Sequence, residues 1–310
     1  MPTDKLHCDF PDLVICGVPK AATSSLFDWI AAHPDALGTR EKETYFFVDP
    51  DTHMYRADRH ASLGLDSYGA LFPALSPADR PPLVRLEATP GYIYSKTALQ
   101  HIPVLPNAPK CLFILREPAA QILSLYSYFK GNWDWIPADM SFVDYLAAVE
   151  AGTSDFKGND LAQNALRNAE YVDFLEAWQA RLGPDRMKIL LFEDLRADPR
   201  AIAQEVARWV GLAPEFYDDF DFKTSNATYA PRSGLLHRLN VKIRGHLPKG
   251  RLYNGLRALY RKLNTNRQRS SDAASQEVLD NLRKRYHEPY RRLSERFGFD
   301  FSKWEARQQR

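Results

Sequence analysis

Lys20, Thr23 and Ser24 stand in the run Gly17-Val-Pro-Lys-Ala-Ala-Thr-Ser, between a short apolar stretch and a helical pattern. An amine, two hydroxyls and small side chains at such a junction suit an oxyanion. The free N–H groups of a helix N-terminus point at the ligand, and the helix dipole favours negative charge. Gly17 lets the chain turn, Ala21 and Ala22 let the backbone come close, and Thr23 and Ser24 add hydroxyls where they also serve as caps. The usual triphosphate loop, GxxxxGK[ST], sets its lysine beside the hydroxyl that holds Mg²⁺. Here Lys20 comes three residues before Thr23, on the loop rather than the helix. From there it reaches towards a bridging oxygen beyond the cradled phosphate. An ordinary capped helix with a surface lysine is the rival reading of this loop alone. Arg116 and Ser124, eight residues apart in "FILREPAAQILSLYSYF", form a second candidate pair. An arginine fork and a hydroxyl suit a dianionic phosphate. By itself, an arginine after a strand also reads as a surface ion pair.

The elements that carry these residues are short and alternate in type. Residues 12–18, 110–118 and 185–195 read as buried strands, and 81–95 holds another that ends at Pro90. Residues 23–34, 119–131, 167–183, 199–212 and 274–296 read as helices. Strands alternating with helices predict an α/β fold with a parallel sheet covered on both faces. The stretch 225–250 reads as loop, and no internal repeat is visible. One domain, 1–310, with a helical C-terminal portion is the simplest account.

Charge is uneven. The net is +2, yet residues 231–310 carry 20 Lys and Arg against 7 Asp and Glu. The basic segment 235–264 therefore suits an anionic ligand, an anionic polymer or a membrane surface. A solvated helical face is the alternative, and no nucleic-acid partner is expected. The three cysteines exclude a disulfide scaffold, and Cys16 and Cys111 fall in apolar strands as buried thiols. No signal peptide and no spanning run of ~18 apolar residues is seen. The expectation is a soluble cytoplasmic protein, with a peripheral place at the inner membrane surface left open by the basic segment.

The opening loop resembles the 5'-phosphosulfate loop of sulfotransferases that use 3'-phosphoadenosine 5'-phosphosulfate (PAPS). Arg116 and Ser124 match that family's second signature, which implies a site for the 3'-phosphate. "KETYFF" (42–47) resembles the segment after the first helix in glycan-type members, with an acidic residue ahead of an aromatic pair. "EATPGYIYS" (87–95) resembles their E-x-[ST]-P-x-Y segment, and "LRKRYHEPYRRLSERFGFDFSKW" resembles the closing helix and Trp of bacterial members. "YAPRSGLL" (229–236) sits where the family places a basic loop over the nucleotide, which implies a role for Arg232. The fold implied is a five-stranded parallel sheet related to nucleotide kinases.

The reaction implied is in-line transfer of a sulfuryl group from PAPS to an acceptor hydroxyl, of a carbohydrate or glycan, releasing adenosine 3',5'-bisphosphate (PAP). No metal is implied, and no His/Cys/Asp cluster stands at metal-ligand spacing. The acceptor must lose a proton and the leaving phosphate gains charge, so a base and a cation are the minimum equipment. Lys20 is the expected cation and Glu43 the expected base. Ala21, Ala22, Thr23, Ser24 and Ser25, with Gly17, form the expected cradle. His33, His53 and His101 are rival bases. One position departs from the pattern: many glycan sulfotransferases carry a catalytic Lys where this chain has Ala88, so either Lys20 carries the job alone or Lys42 or Arg40 fills in. Tyr92 and Lys42 are candidates for the acceptor site, with core packing an equal alternative for Tyr92. Trp133 and Trp135 are candidates to stack adenine or a sugar, whereas Trp178 reads as core. Against this stand a lipid or small-molecule acceptor, a P-loop kinase or NTPase, and a non-catalytic nucleotide-binding protein.

Overall fold

The computed structural model describes residues 10–75, 81–223, 230–231, 265–266, 273–300 and 302–305. Arg232, Cys8 and the basic segment 235–264 lie outside them. So does the loop expected over 225–250, apart from the pairing of Ala230–Pro231 with Thr265–Asn266. The chain forms two compact units. The first holds residues 1–117, 170–226 and 287–310, and the second 118–169 and 227–286.

The first unit is built on a five-stranded sheet. Its strands are β1 (Leu13–Gly17), β2 (Ala36–Gly38), β3 (Val84–Ala88), β4 (Lys110–Leu115) and β5 (Met187–Leu191), in the order β2-β3-β1-β4-β5. Every pairing is parallel, with Leu13 opposite Leu86 on one side and Lys110 on the other. A parallel sheet needs crossovers, and helices then cover both faces. That is why β1 and β4 are near-continuous apolar runs: Leu13, Val14, Ile15 and Phe113 have no exposed surface. Burying each such side chain stabilises the fold by ~1.5–3 kcal/mol. The helices of this unit include α1 (Thr23–Ala31), α2 (Leu65–Gly69), α3 (Lys96–His101), α8 (Tyr171–Leu182), α9 (Phe192–Ala197) and α10 (Pro199–Val210). Trp178 on α8 is core, as expected: its ring meets Phe113 edge-on at 5.4 Å and its Nε1 donates to the Ile93 carbonyl at 3.1 Å.

Two elements differ from the sequence reading. The strand expected over 185–195 stops at Leu191, and α9 follows, with Glu193 and Asp194 in a first turn whose dipole favours acids. β2 was not expected, being only three residues long. Gly38 within it admits the Phe27 ring of α1, which a Cβ there would meet at 2.7 Å.

The second unit contains α4 (Pro118–Tyr128), a π-type turn at Phe129–Trp133, α5 (Phe142–Ala151), α6 (Asp160–Gln163) and α7 (Ala165–Asn168). Ser141 and Asp144 cap α5 reciprocally. The long helix α11 (Ala273–Phe297) belongs to this unit through Tyr286, whose hydroxyl donates to the Leu166 carbonyl at 2.7 Å. From His287 onward it belongs to the first unit, where α12 (Ser302–Glu305) follows. There the Tyr290 hydroxyl donates to Glu117 Oε1 at 3.2 Å and Trp304 Nε1 donates to Glu193 Oε2 at 2.9 Å.

Candidate active site

In an open parallel sheet, ligands gather at the carboxyl ends of the strands where the strand order reverses. Here β1 lies between β3 and β4, and the segments leaving all three carry the expected site residues. β1 delivers Gly17 into the loop. A Cβ at Gly17 would stand 2.8 Å from Ile93 Cγ2, so the glycine is needed for close packing against the turn after β3. The reversal of the chain falls instead at Lys20 (φ 68°) and Ala22 (φ 62°), both left-handed without being glycine. Each such residue costs ~1–2 kcal/mol and persists only where its surroundings hold it.

Arg116, leaving β4, supplies that hold. Its Nη1 donates to the Lys20 carbonyl at 2.8 Å, and its guanidinium lies over the Phe192 ring at 4.7 Å. The carbonyl of Arg116 in turn accepts from the Tyr171 hydroxyl at 3.0 Å. α1 begins from Ala22, which has no side chain to cap it, so no N-cap oxygen competes for the first-turn amides. Thr23 and Ser24 are thus the first helical residues rather than caps. Thr23, Ser25 and Ala21 are buried, while Ala22 and Ser24 are half-buried.

Lys20 is half-buried, and its amine is pushed down to about 8. Burial is the first cause, the Arg116 guanidinium the second. The Glu43 carboxylate acts in the opposite sense and the Lys42 ammonium in the same sense as Arg116, so both charges act on Lys20.

Glu43 has two partners of its own. Lys42 Nζ donates to Oε1 at 2.7 Å, and the Tyr45 hydroxyl donates to Oε2 at 2.5 Å. The segment that carries it is clamped to the end of β3 by a buried carboxyl. Glu87, with no exposed surface, accepts from Thr44 Oγ1 at 2.5 Å, from Thr89 Oγ1 at 2.8 Å, and from the Tyr68 hydroxyl. Burial raises its pKa, while the hydroxyls around it pull the other way. Thr89 Oγ1 also accepts from the Thr44 N–H at 3.1 Å, and the Ala88 N–H donates to the Lys42 carbonyl at 3.3 Å. The two segments singled out in the sequence, 42–47 and 87–95, are therefore one hydrogen-bonded body. Glu87 was missed as a positioning residue; the signal for it is a glutamate at the fourth position of a fully buried strand, "VRLEA".

Tyr92 belongs to that body and not to an acceptor surface. It has no exposed surface, its hydroxyl lies 3.0 Å from Thr44 Oγ1, and it accepts from the Phe47 N–H at 3.2 Å. His33 is likewise taken up structurally. Its Nδ1 accepts from the Asp35 N–H at 3.1 Å and its Nε2 pairs with the Ala213 carbonyl at 3.2 Å. His101 stacks on Phe47 at 6.0 Å, and the His53 carbonyl accepts from Arg56. Arg40 Nη1 donates to the Ala70 carbonyl, leaving Lys42 as the cation beside Glu43. The first unit thus brings together Lys20, Lys42, Glu43 and Arg116 with the loop 17–25. Ser124 stands half-buried on α4 of the second unit.

Residues 11–218 match the sulfotransferase family. The human bifunctional heparan sulfate N-deacetylase/N-sulfotransferase 3 is 24% identical over 215 residues, covering 67% of this chain and 23% of the relative. The human heparan sulfate glucosamine 3-O-sulfotransferase 6 is 26% identical over 207 residues, covering 66% of this chain and 53% of the relative. The chain therefore spans about a quarter of the first of these relatives and half of the second. The crystal structure of a sulfotransferase from Alicyclobacillus acidocaldarius superposes with a TM-score of 0.65 at 19% identity, covering 96% of this chain and 99% of that one. At that identity the likeness is one of fold. With the family match running from the start of β1 to beyond α10, this chain belongs to the sulfotransferase family.

Proposed function

We propose that this chain transfers a sulfuryl group from PAPS to a hydroxyl of a carbohydrate chain, releasing adenosine 3',5'-bisphosphate. The observation that carries the reading is the loop. A lysine of lowered basicity sits at a left-handed turn held by Arg116, ahead of an uncapped helix start, with a carboxylate in reach. This donor set fits a phosphosulfate: backbone amides and hydroxyls for the oxyanion, and one ammonium for the charge that develops. The co-substrate supplies, when bound, an activated sulfuryl group and a phosphate leaving group.

The chain's own residues do the rest. Loop 21–25 holds the anion by its amides, with Thr23, Ser24 and Ser25 adding hydroxyls. Lys20 neutralises charge on the departing phosphate oxygen, a contribution whose loss typically costs 10²–10³-fold in rate. Glu43 takes the proton of the acceptor, and the ammonium of Lys42, 2.7 Å away, orients that carboxylate. Arg116, besides holding the loop, presents its guanidinium to the 3'-phosphate. The glycan acceptor is supported by the two relatives, both of which are heparan sulfate sulfotransferases by name.

The test is thermal melting with adenosine 3',5'-bisphosphate beside AMP, ADP, and ATP with Mg²⁺, followed by transfer of labelled sulfate from PAPS to unsulfated heparosan. Stabilisation of about 2.7 kcal/mol is expected at a hundredfold excess over Kd. A response to ATP with Mg²⁺ alone would return the kinase reading.

A further inference from the structure

Outside the site just described, a stacked pair of indoles stands on the second unit, the outer one exposed and the inner one half-buried. Trp133 and Trp135 stack with ring centroids 5.4 Å apart and planes 15° apart. Trp135 is backed by Phe129, edge-on at 5.3 Å, and its N–H donates to the Phe129 carbonyl at 3.2 Å. Trp133 is the outer ring, 50% exposed.

Residues two apart do not normally face each other along a helix. These two meet because Asp134 between them is left-handed, φ 55°. A second left-handed turn is pinned against the first. Lys157 Nζ donates to the Asp134 carbonyl at 2.5 Å and to its carboxylate at 3.2 Å. Lys157 itself has φ 56°, between Phe156 at 43° and Gly158 at 78°. Three side-chain-bearing residues thus hold a disfavoured conformation to display a large apolar ring in water. Core packing does not account for this, since the ring displayed is the one that packs least. Strain of this kind gathers where a ligand is bound.

The chemistry displayed is a flat π-face, with an aspartate–lysine pair formed by the residue between the two rings. A pyranose presents the complementary pattern: polarised C–H groups on one face and hydroxyls around the rim. The negative face of an indole attracts the C–H groups, and carboxylate and ammonium exchange hydrogen bonds with hydroxyls. A nucleotide fits less well. Asp134 and Lys157 neutralise each other, so the pair offers no net charge to a phosphate.

We propose that Trp133, Trp135, Asp134 and Lys157 form a carbohydrate-binding subsite, in which a pyranose of the acceptor stacks on the outer face of Trp133. The proposal rests on the reading of the acceptor as a glycan.

The experiment is calorimetric titration of the full chain with an unsulfated heparosan oligosaccharide, for wild type, Trp133→Ala and Trp133→Phe. In parallel, each is melted with and without adenosine 3',5'-bisphosphate. Trp133→Ala should raise Kd for the oligosaccharide about tenfold, the scale of one aromatic stacking contact. Trp133→Phe should stay within about threefold of wild type, and the bisphosphate shift should be equal in all three. Equal Kd in wild type and Trp133→Ala would overturn the subsite, as would a wild type that binds adenosine through Trp133 and the sugar not at all. Loss of the bisphosphate shift in wild type is a separate result. It would sink the sulfotransferase reading itself.

Discussion

The guanidinium of Arg116 donates to the carbonyl oxygen of Lys20 at 2.8 Å, so the segment leaving β4 holds the loop leaving β1. Arg116 therefore has two tasks, and they separate experimentally. Arg116→Ala should weaken the bisphosphate about tenfold or more, since a charge-assisted contact and the loop's support go together. It should also weaken 5'-AMP, which has no 3'-phosphate, but less. Melting shifts with the two nucleotides measure both effects. Unchanged AMP binding would leave the loop-holding role without consequence.

Lys20 makes the site sensitive to base. Its amine sits at about 8 in the folded protein against an ordinary 10.5. Below about 8 the folded state therefore carries a disfavoured buried charge. As pH rises from about 8 to 10.5 the unfolded chain binds more protons than the folded one, so the unliganded protein gains stability. Anion binding needs the charged form, so bisphosphate affinity should fall above about pH 8 while intrinsic stability rises. Lys20→Met should melt higher at neutral pH, lose 10²–10³-fold in rate, and show neither trend. Calorimetry across pH 7 to 10 reads both.

Glu43→Gln keeps the shape of the side chain and removes the base. Turnover should fall by 10²–10⁴, with the bisphosphate melting shift retained. A near-normal rate would send the assignment back to His53 or His101.

Glu87→Ala leaves the hydroxyls of Thr44, Tyr68 and Thr89 buried around a void. Each such group costs ~1–3 kcal/mol when left without a partner, so a fall of several kcal/mol in urea unfolding is expected, with turnover lost as segment 42–47 loosens. Glu87→Gln should be milder. Burial raises this carboxyl above its ordinary 4.5, so the folded state takes up that proton first as pH falls. Acid unfolding should not begin at Glu87, and Glu87→Gln should leave the acid midpoint unlowered.

What could be read in the sequence was what is local in it. Strand, loop and helix at 13–31 follow each other without a break, so the junction that carries Lys20, Thr23 and Ser24 was legible from the local pattern. Arg116 was legible for its charge at a strand end but not for its bond to Lys20, 96 positions away. The left-handed turns at Lys20 and Ala22 carry no glycine to announce them. The Glu87 cluster was hidden for a related reason: its partners lie 43 and 19 residues away on separate segments, and nothing in the spacing of a Thr, a Tyr and a Glu says they converge. Tyr92 stands in a motif that suits an acceptor contact and core packing equally, and its hydroxyl is spent inside the protein. The closing helix and its Trp were recognisable by resemblance, but the burial of Trp304 was not announced by it.

That last segment governs the order in which the protein can be finished. Glu117, buried next to Arg116, takes its bond from Tyr290, and Glu193 takes its bond from Trp304. Domains settle as units while a chain leaves the ribosome at ~5–20 residues per second. Here the first unit must wait through the synthesis of the whole second unit before its own final pieces arrive. A nascent chain stalled before Tyr290 would hold every residue of the phosphate-binding loop and lack the Tyr and Trp that close over Glu117 and Glu193.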